Sequence, residues 1–345
     1  MNLQSLFGIK LPIIQAPLAG VQGFELAVAV SNAGGLGSLP AALFSPETMK
    51  TELAAVRAGT DKPFNVNFFA HTSATPDAAA EAAWRAALAP YYAEYDINPA
   101  TIPPGPGRAA FNAETAEIIE AFRPPVVSFH FGLPSADLLA RVRAMGSKVL
   151  GNATTVEEAL WLEAQGVDAI IAQGWEAGGH RGHFLSHDLT KQMGTFALLP
   201  QIIRAVRVPV IAAGGIVDAR GVKAVLDLGA IAAQVGTAYM LCPESRTSAI
   251  HRAALKSEAA RHTAVTTLFT GRPARGIVNR VMRELGPLNP VAPGFPLATT
   301  AIAPLRAKAE AAGSGDFTSL WSGQNASGCK EIPAAELTRE LVSLL

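Results

Sequence analysis

Short apolar runs alternate with helical patterns along most of this chain. Eight runs read as strands, at residues 12–15, 36–39, 64–69, 126–131, 148–153, 169–173, 208–215 and 230–237. Most are nearly continuous in apolar character, the mark of strands buried on both faces of a parallel sheet. Helical patterns lie between them, at 25–31, from Pro46 onward, and at 113–122, 136–145, 196–206 and 219–228. A further helix is opened by Thr154-Thr155 and ended by Gly166. Ser45, Asn112 and Asp218 stand as N-caps, and Pro46 takes a first helical position. Eight strands alternating with helices in about 240 residues is the count of an α/β fold of the (β/α)8 TIM-barrel type. The alternative is an open doubly wound sheet. Polar residues and glycines recur at the carboxyl ends of strands one, three, four, six, seven and eight. That makes one crowded face, which favours the barrel.

Two stretches break the rhythm. Residues 72–107 read as an insertion after strand three. Its part 75–95 is Ala-rich and helical in pattern, with Trp84, Tyr91, Tyr92 and Tyr95; Pro103-Pro104-Gly105-Pro106-Gly107 cannot be helix. An insertion there overhangs a barrel mouth, where substrate walls are built. After residue 242 the pattern becomes a basic helix at 248–261, a strand at 264–270, an Arg-rich stretch at 272–283, a Pro-rich connector at 287–296, and helices at 301–312 and 334–345. The expectation is a barrel domain over 1–242 and an appended, mainly helical region over 243–345 that completes the substrate pocket.

Composition narrows the function. The formal net charge of the 345 residues is zero and only 16% are charged, so no basic field attracts nucleic acid or an anionic membrane. Mean hydropathy is +0.25, which suits a large buried core. No apolar run of about 18 residues spans a membrane, and residues 1–15 lack the pattern of a signal peptide. Cys242 and Cys329 are far apart in sequence, show no electropositive surroundings and read as inert. A cytoplasmic enzyme is expected, with a homodimer left open.

The chemistry is concentrated in Gln173-Gly174-Trp175-Glu176-Ala177-Gly178-Gly179-His180-Arg181-Gly182, just past strand six. Glycines there let backbone approach something flat or charged, and His180 is presented to a substrate. Glu176 reads as a general base, or as a residue that fixes the loop or pairs with Arg181. A metal site from His180, His183 and His187 is disfavoured by Gly182 and the Arg181 charge. Ala213-Gly214-Gly215 and Gln234-Val235-Gly236-Thr237 end strands seven and eight, where α/β barrels commonly bind phosphate through backbone N–H groups. Asn67 and Gln173 are amides at strand ends, able to donate and accept at a flavin edge. Phosphate site and ring-edge amides together fit FMN. A dinucleotide is less favoured, because no G-x-G-x-x-G follows strand one.

These loops, with Gln15-Ala16-Pro17-Leu18-Ala19-Gly20 and Asn32-Ala33-Gly34-Gly35-Leu36-Gly37, resemble the nitronate monooxygenase family, formerly called 2-nitropropane dioxygenase. The likeness runs from Leu11 to about Thr237, with a looser echo at 316–324. The resemblance implies an FMN-containing barrel that oxidises alkyl nitronates with O2 to carbonyl compounds and nitrite. It implies flavin contacts from Ala16, Pro17, Leu18, Asn67, Gln173, Ala177, Gly178, Gly214, Gly215, Gln234, Val235, Gly236 and Thr237. It makes His180 the active-site histidine and His130 a second one near the substrate, with no metal. Leu18 replaces the usual Met, a mild change. Phe317, Trp321 and Asn325 stand where some members carry tyrosines and a lysine, which implies a more apolar pocket. FMN-dependent enoyl-acyl-carrier-protein reductases and NADH:quinone reductases share several of these segments and are the alternative. A non-catalytic flavin- or phosphate-binding barrel is a third reading.

Overall fold

The computed structural model describes residues 3–103 and 108–345. The Pro104-Gly105-Pro106-Gly107 part of the predicted non-helical stretch lies outside the described residues. From the amino end the elements are α1 (Leu3–Phe7), β1 (Ile13–Gln15), α2 (Phe24–Asn32), β2 (Gly37–Pro40), α3 (Pro46–Gly59), β3 (Phe64–Phe69), α4 (Ala78–Glu94), α5 (Ala113–Phe122), β4 (Val126–His130), α6 (Ala136–Ala144), β5 (Lys148–Ala153), α7 (Val156–Ala164) and β6 (Ala169–Gln173). There follow β7 (Gly179–His180), α8 (Thr195–Ala205), β8 (Val210–Ala213), α9 (Ala219–Asp227), β9 (Ala232–Val235), α10 (Ala249–Leu255), β10 (Thr263–Thr266), β11 (Ala274–Ile277), α11 (Arg280–Leu285), α12 (Ala298–Ala311) and α13 (Ala334–Glu340).

Eight strands form one parallel sheet in the order β1-β9-β8-β6-β5-β4-β3-β2. Its two ends meet. A parallel bridge joins Ile14 to Leu36, Gln15 N–H donates to Leu36 O at 2.9 Å, and Leu36 N–H donates to Ile13 O at 2.9 Å. The sheet is therefore the expected barrel. Strand pleat sorts the side chains. Ile14, Leu36, Val126, Leu150, Ile171 and Ile211 gather in the interior cluster, which Leu6, Phe7 and Ile9 join from α1 and the turn after it. Their neighbours Ile13, Val66, Val127, Val149, Ile170 and Ala212 face the surrounding helices.

Local chemistry sets the helix starts. Ser45 accepts from Thr48 N, Asn112 from Thr115 N, Thr155 from Glu158 N and Asp218 from Gly221 N, each satisfying an orphan N–H of the first turn. The predicted helix at 75–95 starts later, at Ala78, because the Asp77 carboxylate caps Ala79 and Ala80 N–H. The predicted basic helix at 248–261 is broken. It stops at Leu255, and Ser257 caps a separate 3-10 turn, Glu258–Arg261.

The chain after residue 242 is less helical than expected. β10 and β11 form an antiparallel hairpin, and β11 also pairs with β7, placing Ala274 opposite His180. The Arg-rich stretch gave no sign of β11. The same part of the chain packs on the insertion. Trp84, Leu88, Tyr91 and Tyr92 of α4 share one core with Ile302 and Leu305 of α12, with Leu268 and Phe269, and with Phe317. Trp84 Nε1 donates to Ala298 O at 3.1 Å, and the Tyr92 hydroxyl donates to Ala301 O at 2.6 Å.

Trp84 is fully buried in this second core. Trp84→Ala is expected to cost about 3–5 kcal/mol in chemical denaturation, the range for deleting a large buried aromatic. A loss below about 1 kcal/mol would show that α4 does not pack there.

Candidate functional site

Inward positions at the carboxyl end of the barrel are polar. Asn67 of β3, His130 of β4, Asn152 of β5, Gln173 of β6 and Gln234 of β9 line one cavity, with Ala16, Pro17 and Leu18 beyond β1. The glycine-rich segments close over it. Gly178, Gly214, Gly215 and Gly236 line it with Ala177, Thr237 and His180. Of the expected contacts, Val235 alone lies elsewhere: its side chain faces outward in the barrel core, while its carbonyl accepts from Ala16 N–H at 2.8 Å.

The loop after β6 is shaped by buried polar groups. Gln173 Nε2 donates to His180 O at 3.0 Å, and Gln173 Oε1 accepts from Gly182 N–H at 2.8 Å. Its amide is thus engaged within the protein at both ends and serves the loop. Arg181 is fully buried and donates to Gly174 O at 2.6 Å, to Gln173 O at 2.8 Å and to Gln192 Oε1 at 2.9 Å. Glu176 does not pair with it. The Glu176 carboxylate accepts from Thr195 N–H at 2.8 Å and from its hydroxyl at 2.9 Å, which fixes the loop and leaves it no role as a base. Gly178 has no room for a side chain, since a Cβ there would lie 2.5 Å from Gly323 N and 2.6 Å from Ser322 C.

His130 and His180 meet at the mouth. His130 Nε2 donates to His180 O at 3.1 Å, and His180 Nε2 lies 3.0 Å from Thr270 Oγ1. Phe69, Phe131 and Phe295 surround the His180 ring with centroids 6.0, 5.8 and 5.5 Å away, and Trp321 lies at 5.6 Å. Phe131 holds the left-handed φ of +72°, unusual for a bulky residue and a mark of a constrained site. The Arg272 guanidinium sits 3.9 Å from the Phe131 ring centroid.

Burial, then the positive field of Arg108, with smaller effects of His130, Arg272 and His71, holds His180 well below its ordinary 6.5. Burial pushes His130 down to about 3 despite its hydrogen bond to His180 O. Both imidazoles are neutral at pH 7. Arg108 lines the same cavity and has no carboxylate partner among the described residues, whereas Arg246 pairs with Glu25 and Glu52 at 2.9 and 2.8 Å.

At the opposite end, Gly214 and Gly215 have φ of +116° and +73°, after β8, beside Gly236 and Thr237 after β9. Successive amides in such a conformation form an anion-binding concavity. Gly323 N–H donates to Thr237 Oγ1 at 3.0 Å, leaving the hydroxyl proton free to point at a ligand. The Gln234 side chain makes no hydrogen bond with the described residues, and its Oε1 is buried. Asn67 donates to Ser128 Oγ at 2.9 Å and keeps an acceptor oxygen free. An anion cradle at one end and unused amides along the floor fit a ring-bearing phosphate ester such as a flavin nucleotide.

Several residues here escaped the sequence reading. Asn152, Arg108, Arg306 and Gly323 line the cavity, and Thr270 holds His180. Of these, only Gly323 falls within the echo at 316–324. Of the three residues expected there, Trp321 and Asn325 reach the cavity. Phe317 does not, because Tyr91 and Tyr95 hold it in the second core at ring separations of 5.1 and 5.6 Å. The disfavoured metal triad is not assembled: among the described residues no three His, Cys, Asp or Glu side chains converge. Burial raises both thiols, Cys242 and Cys329, to about 12, in line with inert cysteines.

Known proteins share this arrangement. The family model described as nitronate monooxygenase matches residues 1–343. A protein of Pseudomonas aeruginosa named nitronate monooxygenase is 45% identical over 342 residues, 99% of this chain and 97% of that one. The solved nitroalkane oxidase of Streptomyces ansochromogenes is 41% identical with a TM-score of 0.89, covering 98% of this chain and 96% of its own. FabK of Thermotoga maritima is more distant, 26% identical with a TM-score of 0.71 over 98% of this chain and 94% of its own. With a closed barrel, a glycine cradle and a neutral histidine at its mouth, and with these likenesses over nearly its whole length, the chain belongs to the nitronate monooxygenase family of flavin-dependent oxidoreductases.

Proposed function

We propose that the cavity holds FMN and that the chain oxidises alkyl nitronates with O2 to carbonyl compounds and nitrite. The observation that carries this reading is the pairing of opposites at the mouth. Arg108, which has no acidic partner among the described residues, shares one cavity with the uncharged His180. A nitronate is a small anion, and a cation in a partly desolvated channel draws it in. The relatives point the same way through the names nitronate monooxygenase and nitroalkane oxidase.

In this reading the phosphate of FMN lies against Gly214, Gly215, Gly236 and Thr237, and Asn67 and Gln234 meet the ring edge. When bound, the flavin supplies electron transfer between substrate and O2, chemistry that amino-acid side chains lack. The protein supplies position and field. Arg108 attracts the anion. Phe69, Phe131 and Phe295 exclude water around the reacting carbon. His180 is uncharged, so it can take the α proton when the substrate arrives as a neutral nitroalkane. His130 spends its Nε2–H on the His180 carbonyl and thereby fixes the backbone that carries the imidazole.

Anaerobic reduction of the yellow protein tests the reaction class. An alkyl nitronate is expected to bleach the flavin band, with nitrite formed once air is admitted. Rapid bleaching by NADH or NADPH alone, with no response to nitronate, would move the chain to the reductase alternative.

Two substitutions separate chemistry from cofactor binding. His180→Asn is expected to keep its FMN and lose about 100-fold or more in kcat/KM on nitroethane, the usual weight of a general base. Gly178→Val is expected to reach the backbone of Ser322 and Gly323 and to purify with little flavin. The reverse pattern, colourless His180→Asn or yellow Gly178→Val, would contradict the assignment.

The pH dependence follows from the direction of the His180 shift. Its pKa is lowered, so the neutral form persists through the neutral range and is lost only in acid, well below 6.5. On this basis kcat/KM for a nitroalkane is expected to be flat from pH 6.5 to 8 and to fall in acid. An inflection near 6.5 would place a free, water-exposed imidazole in the mechanism.

A further inference from the structure

His180 Nε2 has one hydrogen-bond partner among the described residues, the Thr270 hydroxyl at 3.0 Å. Thr270 is 3% exposed and lies in the connection between β10 and β11, the hairpin whose second strand pairs with the His180 backbone. This hydroxyl has one proton to donate, oxygen lone pairs to accept with, and three neighbours. Arg272 O, 3.3 Å away, can only accept, and no other donor reaches it among the described residues. Arg272 N–H, 3.4 Å away, can only donate. If the hydroxyl proton goes to Arg272 O, then Oγ1 accepts from Arg272 N–H and from a proton on His180 Nε2, and every group is satisfied. If it goes to His180 instead, Arg272 O is left without a partner, at the cost of an unsatisfied polar group.

Three other histidines lie with Nε2 against an acceptor. His71 Nε2 faces Arg108 O at 3.0 Å, His130 Nε2 faces His180 O at 3.1 Å, and His251 Nε2 faces Trp321 O at 3.1 Å. A carbonyl only accepts, so each of these neutral rings carries its proton on Nε2. At His180 alone a hydroxyl takes the place of the carbonyl, and Arg272 O behind it passes on the same instruction.

We propose that Thr270 is a positioning residue that holds His180 in the Nε2–H tautomer and so presents the Nδ1 lone pair to the cavity. The role rests on the reading of this cavity as the substrate site. The tautomer decides what the ring offers. Nδ1 with a lone pair accepts a proton or a hydrogen bond; Nδ1 with a proton would only donate. Partner chemistry thus selects the function of one imidazole from a position outside the barrel.

The test reads the tautomer directly, on the FMN-loaded protein without substrate. Long-range proton–nitrogen NMR correlation of labelled histidines at pH 7.5 is expected to show His180 protonated on Nε2 and bare on Nδ1, with His180→Asn supplying the assignment. Thr270→Val is expected to populate the other tautomer and to lower kcat/KM on nitroethane about tenfold, the weight of one hydrogen bond to an oriented group, with FMN affinity within twofold. Thr270→Ser is expected to restore both. A proton on Nδ1 in the unaltered protein, or an unchanged tautomer in Thr270→Val, overturns the proposal. Should Thr270→Val fail to fold, the spectra of the unaltered protein and of Thr270→Ser decide it alone. Because no turnover enters the spectrum, a wrong substrate class would leave this result standing, and a wrong tautomer would leave the substrate class standing.

Discussion

A glycine-rich loop lines the cavity, and most of its peptide groups are partly buried and need partners within the protein. That constraint organises the molecule. Gln173 gives its amide to His180 O and Gly182 N–H, Arg181 gives its guanidinium to Gly174 O and Gln173 O, and Glu176 is tied to Thr195. β11 pairs with Gly179 and His180, and Trp175 N–H and Arg181 N–H donate to Met193 O and Pro273 O. A buried donor or acceptor without a partner costs roughly 1–3 kcal/mol, so a loop of this kind is stable only as a set. The position of His180 is therefore a product of hydrogen-bond satisfaction over four separate segments of chain.

The same constraint explains why the carboxyl-terminal part is not an accessory. β11 completes the loop, Gly323 backs the glycine cradle through Thr237, and Trp321 walls the His180 end of the cavity. Its own packing depends on the insertion, because α4 and α12 share one core. A change in α4 therefore reaches the site through two steps of packing, first α12 and Phe317, then Trp321. Phe269 joins these two regions, with its ring 5.5 Å from Trp321.

Much of this was legible in the sequence wherever one local rule governed. The strands at 64–69 and 148–153 were read to the residue, since apolar runs between turn signals mark buried parallel strands. Caps at Ser45, Asn112 and Asp218 were legible because one side chain and one N–H decide them. Glycine-rich strand ends disclosed the cradle. Residues whose role depends on distant partners were not legible. β11 is short and lies in an Arg-rich stretch, and it is a strand only because β10 and β7 flank it. Phe317 fits a pocket by spacing, yet Tyr91 and Tyr95 draw it into a core. Glu176 has a suitable arginine five residues away, yet Thr195 offers a hydroxyl and an N–H that together satisfy it better. Thr270 carries no signal at all until the fold brings it to His180.

Charge placement at the mouth follows from the same economy of partners. His180 and His130 are neutral because burial and like charges disfavour a second cation beside Arg108 and Arg272. Arg272 sits against the Phe131 face and donates to His183 O. Arg108 has no carboxylate partner among the described residues and lies over the Phe295 ring, 5.9 Å from its centroid. A guanidinium does not surrender its proton at neutral pH, so this charge stays. Satisfaction within the protein accounts for Arg181 and much of Arg272, and it leaves Arg108 as the cation whose counter-charge must come from outside. In the proposed reading an anionic substrate supplies it, and the neutral imidazole beside it then handles a proton without repelling the cation that binds.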